Sequence, residues 1–370
     1  MNGAPGHAVR PAAAAGRPAP SWRPRDPVLA ALVAGLLVAA LGLLIVRPEP
    51  YIVNAVGQLA ALAILAVSLD LVWGYLGILS LGHGLFFAIG GYACALHLSA
   101  HAYAATGVQP DVMQFMGWTT LPFYWTGMTS APYALLVGLA LAVLVAFLFG
   151  WASFRSRVNG VYFSIISQAL VYVAMLLMFR NDTGFGGNNG MTGFALLFGH
   201  PMGAPGTVLA LAVAAIAALA AVLAGAGWLV ASRVGRRMIA CRDDETRLRT
   251  LGYGTTGLKL WVWCLSAAIA ALAGILYVPQ VGIINPRLLA PDLSLEIAVW
   301  VAIGGIGRLS GAVIGAVLVN GLKFWLTAAM PEAWPFILSG LVLLVVLALP
   351  NGLLDVSRLK APWLRRGAPR

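Results

Sequence analysis

The sequence predicts an all-α, polytopic integral membrane protein with roughly ten transmembrane helices, some of them broken or re-entrant. Composition comes first: 61% of the 370 residues are hydrophobic and only 9% are charged. Soluble domains carry about 25% charged residues, so this chain lacks the polar surface to face water on all sides. Second, predominantly apolar stretches near the bilayer-spanning length of about 20 residues begin near Val28, Tyr51, Leu85, Pro132, Gly160, Thr207, Leu258, Leu293, Gly311 and Trp334. These runs are continuous rather than alternating, which selects helices over a barrel.

Charge placement is the third observation. The formal net charge is +11, a value that taken alone suggests nucleic acid. With a cytoplasmic amino terminus and alternating spans, however, segments 1–27, 152–159, 232–259, 304–310 and 351–370 fall inside and hold 19 of the 23 Lys and Arg residues. Arg47, Arg180 and Arg287 fall outside, and Lys323 lies within a span. That asymmetry is the positive-inside rule. It places both termini in the cytoplasm and leaves no excess that calls for nucleic acid.

Taken in order, residues 1–27 are rich in Ala, Pro, Gly and Arg and read as a disordered tail. The apolar run 28–46 continues into RPEP without a small-residue cleavage site, so it reads as an uncleaved first span rather than a signal peptide. Cys94, Cys241 and Cys264 have neither metal nor disulfide spacing. The largest polar insertion is SRVGRRMIACRDDETRLRTLGYGTTGLK, Ser232 to Lys259. Over 235–250 an amphipathic helix would place Met238, Ile239, Cys241 and Leu248 on one side. Such a segment is either a solvated loop obeying the orientation rule or a docking helix for a cytoplasmic partner.

The stretch GRRMIACRDDETRLRTLGY resembles the coupling loop of permeases in the branched-chain amino-acid family of ABC importers. In that family an Arg-acidic-Glu segment followed by Leu-Gly meets the ATPase subunit, and the matching positions here are Gly235, Arg236, Arg242, Asp243, Glu245, Leu251 and Gly252. The alanines usual after that glutamate are replaced by Thr246, Arg247 and Leu248, which points away from amino acids as substrate. Three further blocks extend the resemblance over most of residues 60–352: SLDLVWGYLGILSLGHGLFFAIGGYA, the segment from Phe154 to Phe194, and the segment from Tyr277 to Gly321. GHG at 82–84, SIISQALVY at 164–172, RNDTGFGGNN at 180–189 and VGIINP at 281–286 resemble the urea-type branch in particular.

The resemblance implies a transmembrane permease domain over 28–350, with 351–370 a cytoplasmic tail, in the bacterial inner membrane. It implies a second homologous permease subunit, two cytoplasmic ATPase subunits and an extracytoplasmic solute-binding protein, with urea as the small-molecule cargo. No nucleophile-base-orienter set, metal spacing or phosphate-cradling GxxxxGK[ST] is present. The chain is therefore expected to be non-catalytic and to bind no cofactor, ATP and Mg being used by the partner subunits. Two other readings stay open: the same role for branched-chain or other amino acids, and an ATP-independent channel or secondary transporter for small amides.

Polar residues inside the apolar runs are the candidates for the path. ILSLGHGLFFAIGGY, Ile78 to Tyr92, carries Ser80, His83 and four glycines. With Asp70 it marks either a broken segment beside a water-filled path or close helix packing. In FSIISQALVYVAM the spacing puts Ser164, Gln168 and Tyr172 on one helix face. Urea is neutral and planar, with a carbonyl acceptor and amide donors, so neutral hydrogen-bonding groups suit it better than a charge; an interhelical polar contact is the alternative. RNDTGFGGNNGMTG, Arg180 to Gly193, is a turn-rich outer loop. Glu296 stands at the start of an apolar span, either at the outer interface or capping the helix amino terminus and complementing its dipole, and Gln280 and Asn285 flank a Pro-punctuated bend. Gly307, Gly311 and Gly315, at spacing four, read as a helix-packing seam.

Overall fold

The computed structural model describes residues 27–333 except 47, 119–121, 159, 181 and 182, together with 336, 337, 339, 340, 343 and 353. The expected amino-terminal tail, the carboxyl-terminal tail and most of the last expected span, from Trp334, lie outside the described residues.

Helices dominate because the apolar runs have the length to satisfy their own backbone. They are α1 (Pro27–Val46), α2 (Pro50–Leu76), α3 (His83–Thr106), α4 (Asp111–Met116), α5 (Ala131–Arg155), α6 (Val161–Phe179), α7 (Pro205–Ala231), α8 (Arg233–Asp243), α9 (Glu245–Thr250), α10 (Thr255–Val281), α11 (Pro291–Gly304) and α12 (Leu309–Ala329). Among the described residues, 8 of these are long and apolar enough to cross a membrane. Proline in the first turn starts α2, α5, α7 and α11, where its missing N–H costs nothing. Helix α2 stops at Gly77, whose φ of 78° is in the left-handed region that glycine tolerates.

Helices α2, α3 and α10 pack on one another at the centre, with α5, α7 and α12 around them and α1 held against α7. Small residues permit the close crossing of α3 and α10: a Cβ on Gly274 would meet the backbone carbonyl of Phe87, and one on Gly90 the carbonyl of Ala271. Burial of 83% along the spanning window of α3, against 6% along α1, separates a core helix from a peripheral one.

The expected span beginning near Leu293 is not full length. Helix α11 has 14 residues, about 21 Å against a hydrocarbon core of about 30 Å. Its first turn lies beside the start of α3, since a Cβ on Gly84 would touch the Ser294 hydroxyl and the Leu288 carbonyl. The glycine seam also differs from its expected form. Gly304, Gly311 and Gly315 make the α11–α12 contact, whereas Gly307 sits in the turn before α12 with φ 79°. The single amphipathic helix expected over 235–250 is two, split where Asp244 adopts extended φ/ψ of −158°/95° and caps α9 through the Arg247 N–H. Met238, Cys241 and Leu248 nevertheless share the buried side, with Ile239 half-buried.

Candidate functional site

Between α2 and α3 the chain leaves helical geometry over 77–82. Its extended backbone needs partners that no helix supplies, and α6 provides them. The Ser164 hydroxyl donates to the Leu79 carbonyl at 2.7 Å, and the Leu81 N–H donates to the Ser167 hydroxyl at 3.2 Å. Ser80 closes the segment locally by accepting from the Gly82 N–H at 3.0 Å. Ser164 is thus occupied holding this segment, as is Ser167, which the spacing-of-four pattern passed over.

His83 enters α3 fully buried. Its Nε2 lies 2.7 Å from the Ser266 hydroxyl, which donates to the Ser68 carbonyl at 2.6 Å. With that hydroxyl proton committed to Ser68, the imidazole is the donor in the first bond. Rings of Phe86 and Trp263 stand edge-on to the imidazole. Ser68 precedes the end of α2 by eight residues, about 12 Å along the axis. The 77–82 segment therefore climbs back along α2 before α3 begins, which places irregular backbone at membrane depth, enclosed by protein.

Gln168 lies next to this clip. Its Nε2 and Oε1 are both enclosed, with no hydrogen-bond partner among the described residues. Ser294, 1% exposed and packed at Gly84, likewise has an unpartnered hydroxyl. Tyr172, one turn beyond Gln168, is instead 47% exposed, so α6 does not present the expected trio to a single environment. The Gln280 side chain donates to the Leu276 carbonyl at 2.7 Å and its backbone carbonyl accepts from Gln58 at 3.3 Å, while its Oε1 has no partner among the described residues. Glu296 receives Lys323 Nζ at 3.0 and 3.1 Å. Its partner was visible in the sequence only as a cation stranded within a span.

Asp70 is buried at the other end of this region. Its Oδ1 accepts the Gly307 N–H at 2.7 Å, so it holds the turn between α11 and α12. One turn later Arg242 Nη1 donates to the Gly74 carbonyl at 2.7 Å. Asp70 therefore ties α2 to the α11–α12 turn, one turn before the point where Arg242 ties α2 to the 232–254 connection.

Within that connection, Gly235 is buried because a Cβ there would meet the Val230 carbonyl. Arg236, Asp243, Leu251 and Gly252 are exposed. Glu245 is not a free surface acid: Lys259, Arg249 and Thr255 all reach it, at 2.6, 2.6 and 2.9 Å. Burial works against its charge, but the Lys259 and Thr255 hydrogen bonds and the charges of Lys259 and Arg249 outweigh that and hold the carboxyl below its usual range. A hollow of about 270 Å³ lies between α8, α9 and the start of α10, lined by Val234, Arg237, Leu248, Tyr253, Leu258 and Trp261.

Comparison with known proteins decides the family to which this broken segment and basic connection belong. The family described as branched-chain amino acid transport system / permease component matches residues 51–347. The chain belongs to this family. The match covers α2 to α12 and leaves α1 outside it.

Among relatives of this permease, the high-affinity branched-chain amino acid transport system permease protein LivM of Salmonella typhimurium is 27% identical over 80% of this chain and 68% of its own length. The LivH permease protein of the same kind of system in Escherichia coli is 26% identical over 81% of this chain and 93% of its own. The autoinducer 2 import system permease protein LsrC of Escherichia coli is 35% identical, over 38% of this chain and 43% of its own. No solved structure gives a significant match.

The long loop 180–193 is also tied into this permease more firmly than its turn-rich sequence suggests. Met191 and Ile284 exchange backbone hydrogen bonds of 2.7 and 3.0 Å. The Thr192 hydroxyl donates to Asp111 at 2.8 Å, and Phe185 packs edge-on against Tyr92.

Proposed function

We propose that this permease is half of the membrane pathway of an ATP-driven importer and that its cargo is urea. It works beside a second homologous permease, with two cytoplasmic ATPase subunits and an extracytoplasmic binding protein. The observation that carries the cargo is Gln168, whose amide is enclosed beside the broken 77–82 segment with both ends unpartnered among the described residues. An amide of this kind matches urea: its N–H donates to the solute carbonyl and its oxygen accepts a solute N–H. Both atoms are sealed here, so urea reaches them when α6 and the 77–82 segment part.

The coupling end is the 232–254 connection, in the cytoplasm by the positive-inside asymmetry. Its exposed Arg236, Asp243, Leu251 and Gly252 and the hollow beside Tyr253 give an ATPase subunit polar register and an apolar foothold. Arg242 carries the movement to the end of α2.

A second reading, amino-acid import, has its own support in the names of LivM and LivH. Proteoliposomes holding both permeases and the ATPases, supplied with binding protein and ATP, separate the two. Uptake of labelled urea unaffected by excess leucine is the expected outcome; leucine uptake without urea uptake rejects the urea cargo. Uphill accumulation by this chain alone, without any ATPase, rejects the ATP-driven machine in favour of a self-contained transporter.

A further inference from the structure

The Glu296–Lys323 pair holds two charges inside apolar helices, and neither is buried. Their side chains are 32% and 33% exposed. Lys323 lies fourteen residues beyond the start of α12, about 21 Å along its axis, while Glu296 is about 12 Å from the end of α11. The ends of the two helices meet at Gly304 and Gly311, so the pair sits well within the membrane thickness. Charges at that depth do not face lipid; they face protein or a water-filled cavity.

The neighbouring surface of α11 repeats the point. Asp292, four residues before Glu296 and on its face at helical spacing, is exposed, and so is Leu295, the residue next to Glu296 in the chain, by 51%. A purely structural tie between α11 and α12 is a weak account. The glycine seam already joins the helices by close backbone contact, and an ion pair exposed by a third adds little to that.

Chemistry narrows what this face meets. The carboxylate accepts through two oxygens and the ammonium donates through three protons. A solute carrying N–H donors and an oxygen acceptor can insert between them and satisfy both. Urea does so with its amide protons on Glu296 and its carbonyl on Lys323. A zwitterionic amino acid does so with its ammonium on Glu296 and its carboxylate on Lys323. An ion of one sign strands the opposite charge, which is costly at this depth.

We propose that the Glu296–Lys323 pair is a solute-exchange site of the path, taking neutral or zwitterionic solutes that bring N–H donors and an oxygen acceptor together and refusing ions of one sign. The site rests on the importer reading and specifies where in this chain the solute is handed on. Its test uses the assembled importer in proteoliposomes. The double variant Glu296→Gln, Lys323→Met removes both charges and strands neither. It is expected to reach the membrane and assemble with its partners as the parent does, with solute uptake lowered at least tenfold at subsaturating concentration. Uptake equal to the parent's assigns the pair a packing role and overturns the site.

A second measurement keeps the pair intact. With the three native cysteines replaced by Ala, Leu295→Cys is labelled by a charged thiol reagent, and saturating solute is expected to slow that labelling at least fivefold. Protection by urea identifies the neutral cargo, and protection by leucine alone the zwitterionic one. Labelling indifferent to both overturns the site. If the parent importer accumulates neither solute, the importer reading has failed; if it accumulates one while both variants behave as packing predicts, only this site has.

Discussion

Arg242 and Gly74 lie 168 residues apart and are joined by a 2.7 Å hydrogen bond from the guanidinium to the carbonyl oxygen. That carbonyl belongs to the last turn of α2, where helix geometry leaves it without an intrahelical partner. The turn before it is gripped from another side, because Asp70 accepts the Gly307 N–H. A Cβ on Gly74 would strike both the Asp70 carboxylate and the Gly307 backbone. One helix end thus gathers the 232–254 connection and the turn between α11 and α12.

Removing the guanidinium should uncouple that joint without unfolding the bundle. Arg242→Ala loses a hydrogen bond from a charged donor, a loss of about 1.5–3 kcal/mol. Transport by the assembled importer is expected to fall about tenfold, while membrane levels stay near the parent's. Arg242→Lys should recover part of it, since an ammonium can reach one carbonyl but not also hold Asp243 in the forked geometry seen here. Equal transport in parent and Arg242→Ala removes the joint from the mechanism.

Glu245 should make the same connection sensitive to acid. Its carboxyl is held below the usual range in the folded protein, so the folded state binds fewer protons there than the unfolded one. The stabilisation is fully present above the unfolded value of about 4.3 and is lost as pH falls through the lowered folded value. Hydrogen exchange of the α9 amides, taken relative to the unstructured chain at each pH, should therefore accelerate as pH falls below about 4.3. In Glu245→Ala it should already be fast at pH 7, because Arg249 and Thr255 lose their common partner and Lys259, 7% exposed, loses its carboxylate. A variant whose α9 amides exchange like the parent's across that range would falsify the latch.

Glycine positions divide into those that permit packing and those that do not. Gly274→Ala drives a Cβ into the Phe87 carbonyl, and backbone cannot step aside as a side chain can. Overpacking of this kind costs about 1–3 kcal/mol and should lower the amount of folded protein in the membrane. Gly225→Ala on α7 meets nothing within 4 Å and should accumulate as the parent does. Thermal aggregation of the two variants in detergent compares them directly, and indistinguishable midpoints would reject the close α3–α10 crossing at Gly274.

What the sequence made legible follows from what is periodic or local. Long apolar runs announce helices, and the polar break at 78–84 announces a departure from them, because both signals lie within one segment. Helix α11 reads as a full span in the sequence because its apolar run continues past it, while its true end is set by the turn at Gly305 and Gly307. Asp70 and Gly307 are separated by 237 residues, and no spacing rule reaches that far. Lys323 was visible as an oddity, but its meaning depends on Glu296 arriving from another helix. Ser164 and Gln168 share a face by spacing, yet one is spent on the Leu79 carbonyl and the other is not, a difference that only the path of the 77–82 backbone decides.

That difference gives the sharpest contrast among neighbouring residues. Ser167→Ala removes the acceptor for the Leu81 N–H and leaves a half-buried donor unmade, so it should reduce protein level by loosening the 77–82 segment. Gln168→Leu removes two polar atoms that already lack partners among the described residues, so folding should be unchanged or slightly improved. If the Gln168 amide meets the solute when the segment parts, losing its net hydrogen-bond contribution of about 0.5–1.5 kcal/mol per bond should lower uptake about three- to tenfold. Quantifying membrane protein and labelled-urea uptake in the same preparations separates the two effects. Parallel losses of protein and uptake in Gln168→Leu would return that amide to the packing of α6, whereas uptake lost at constant protein keeps it in the path.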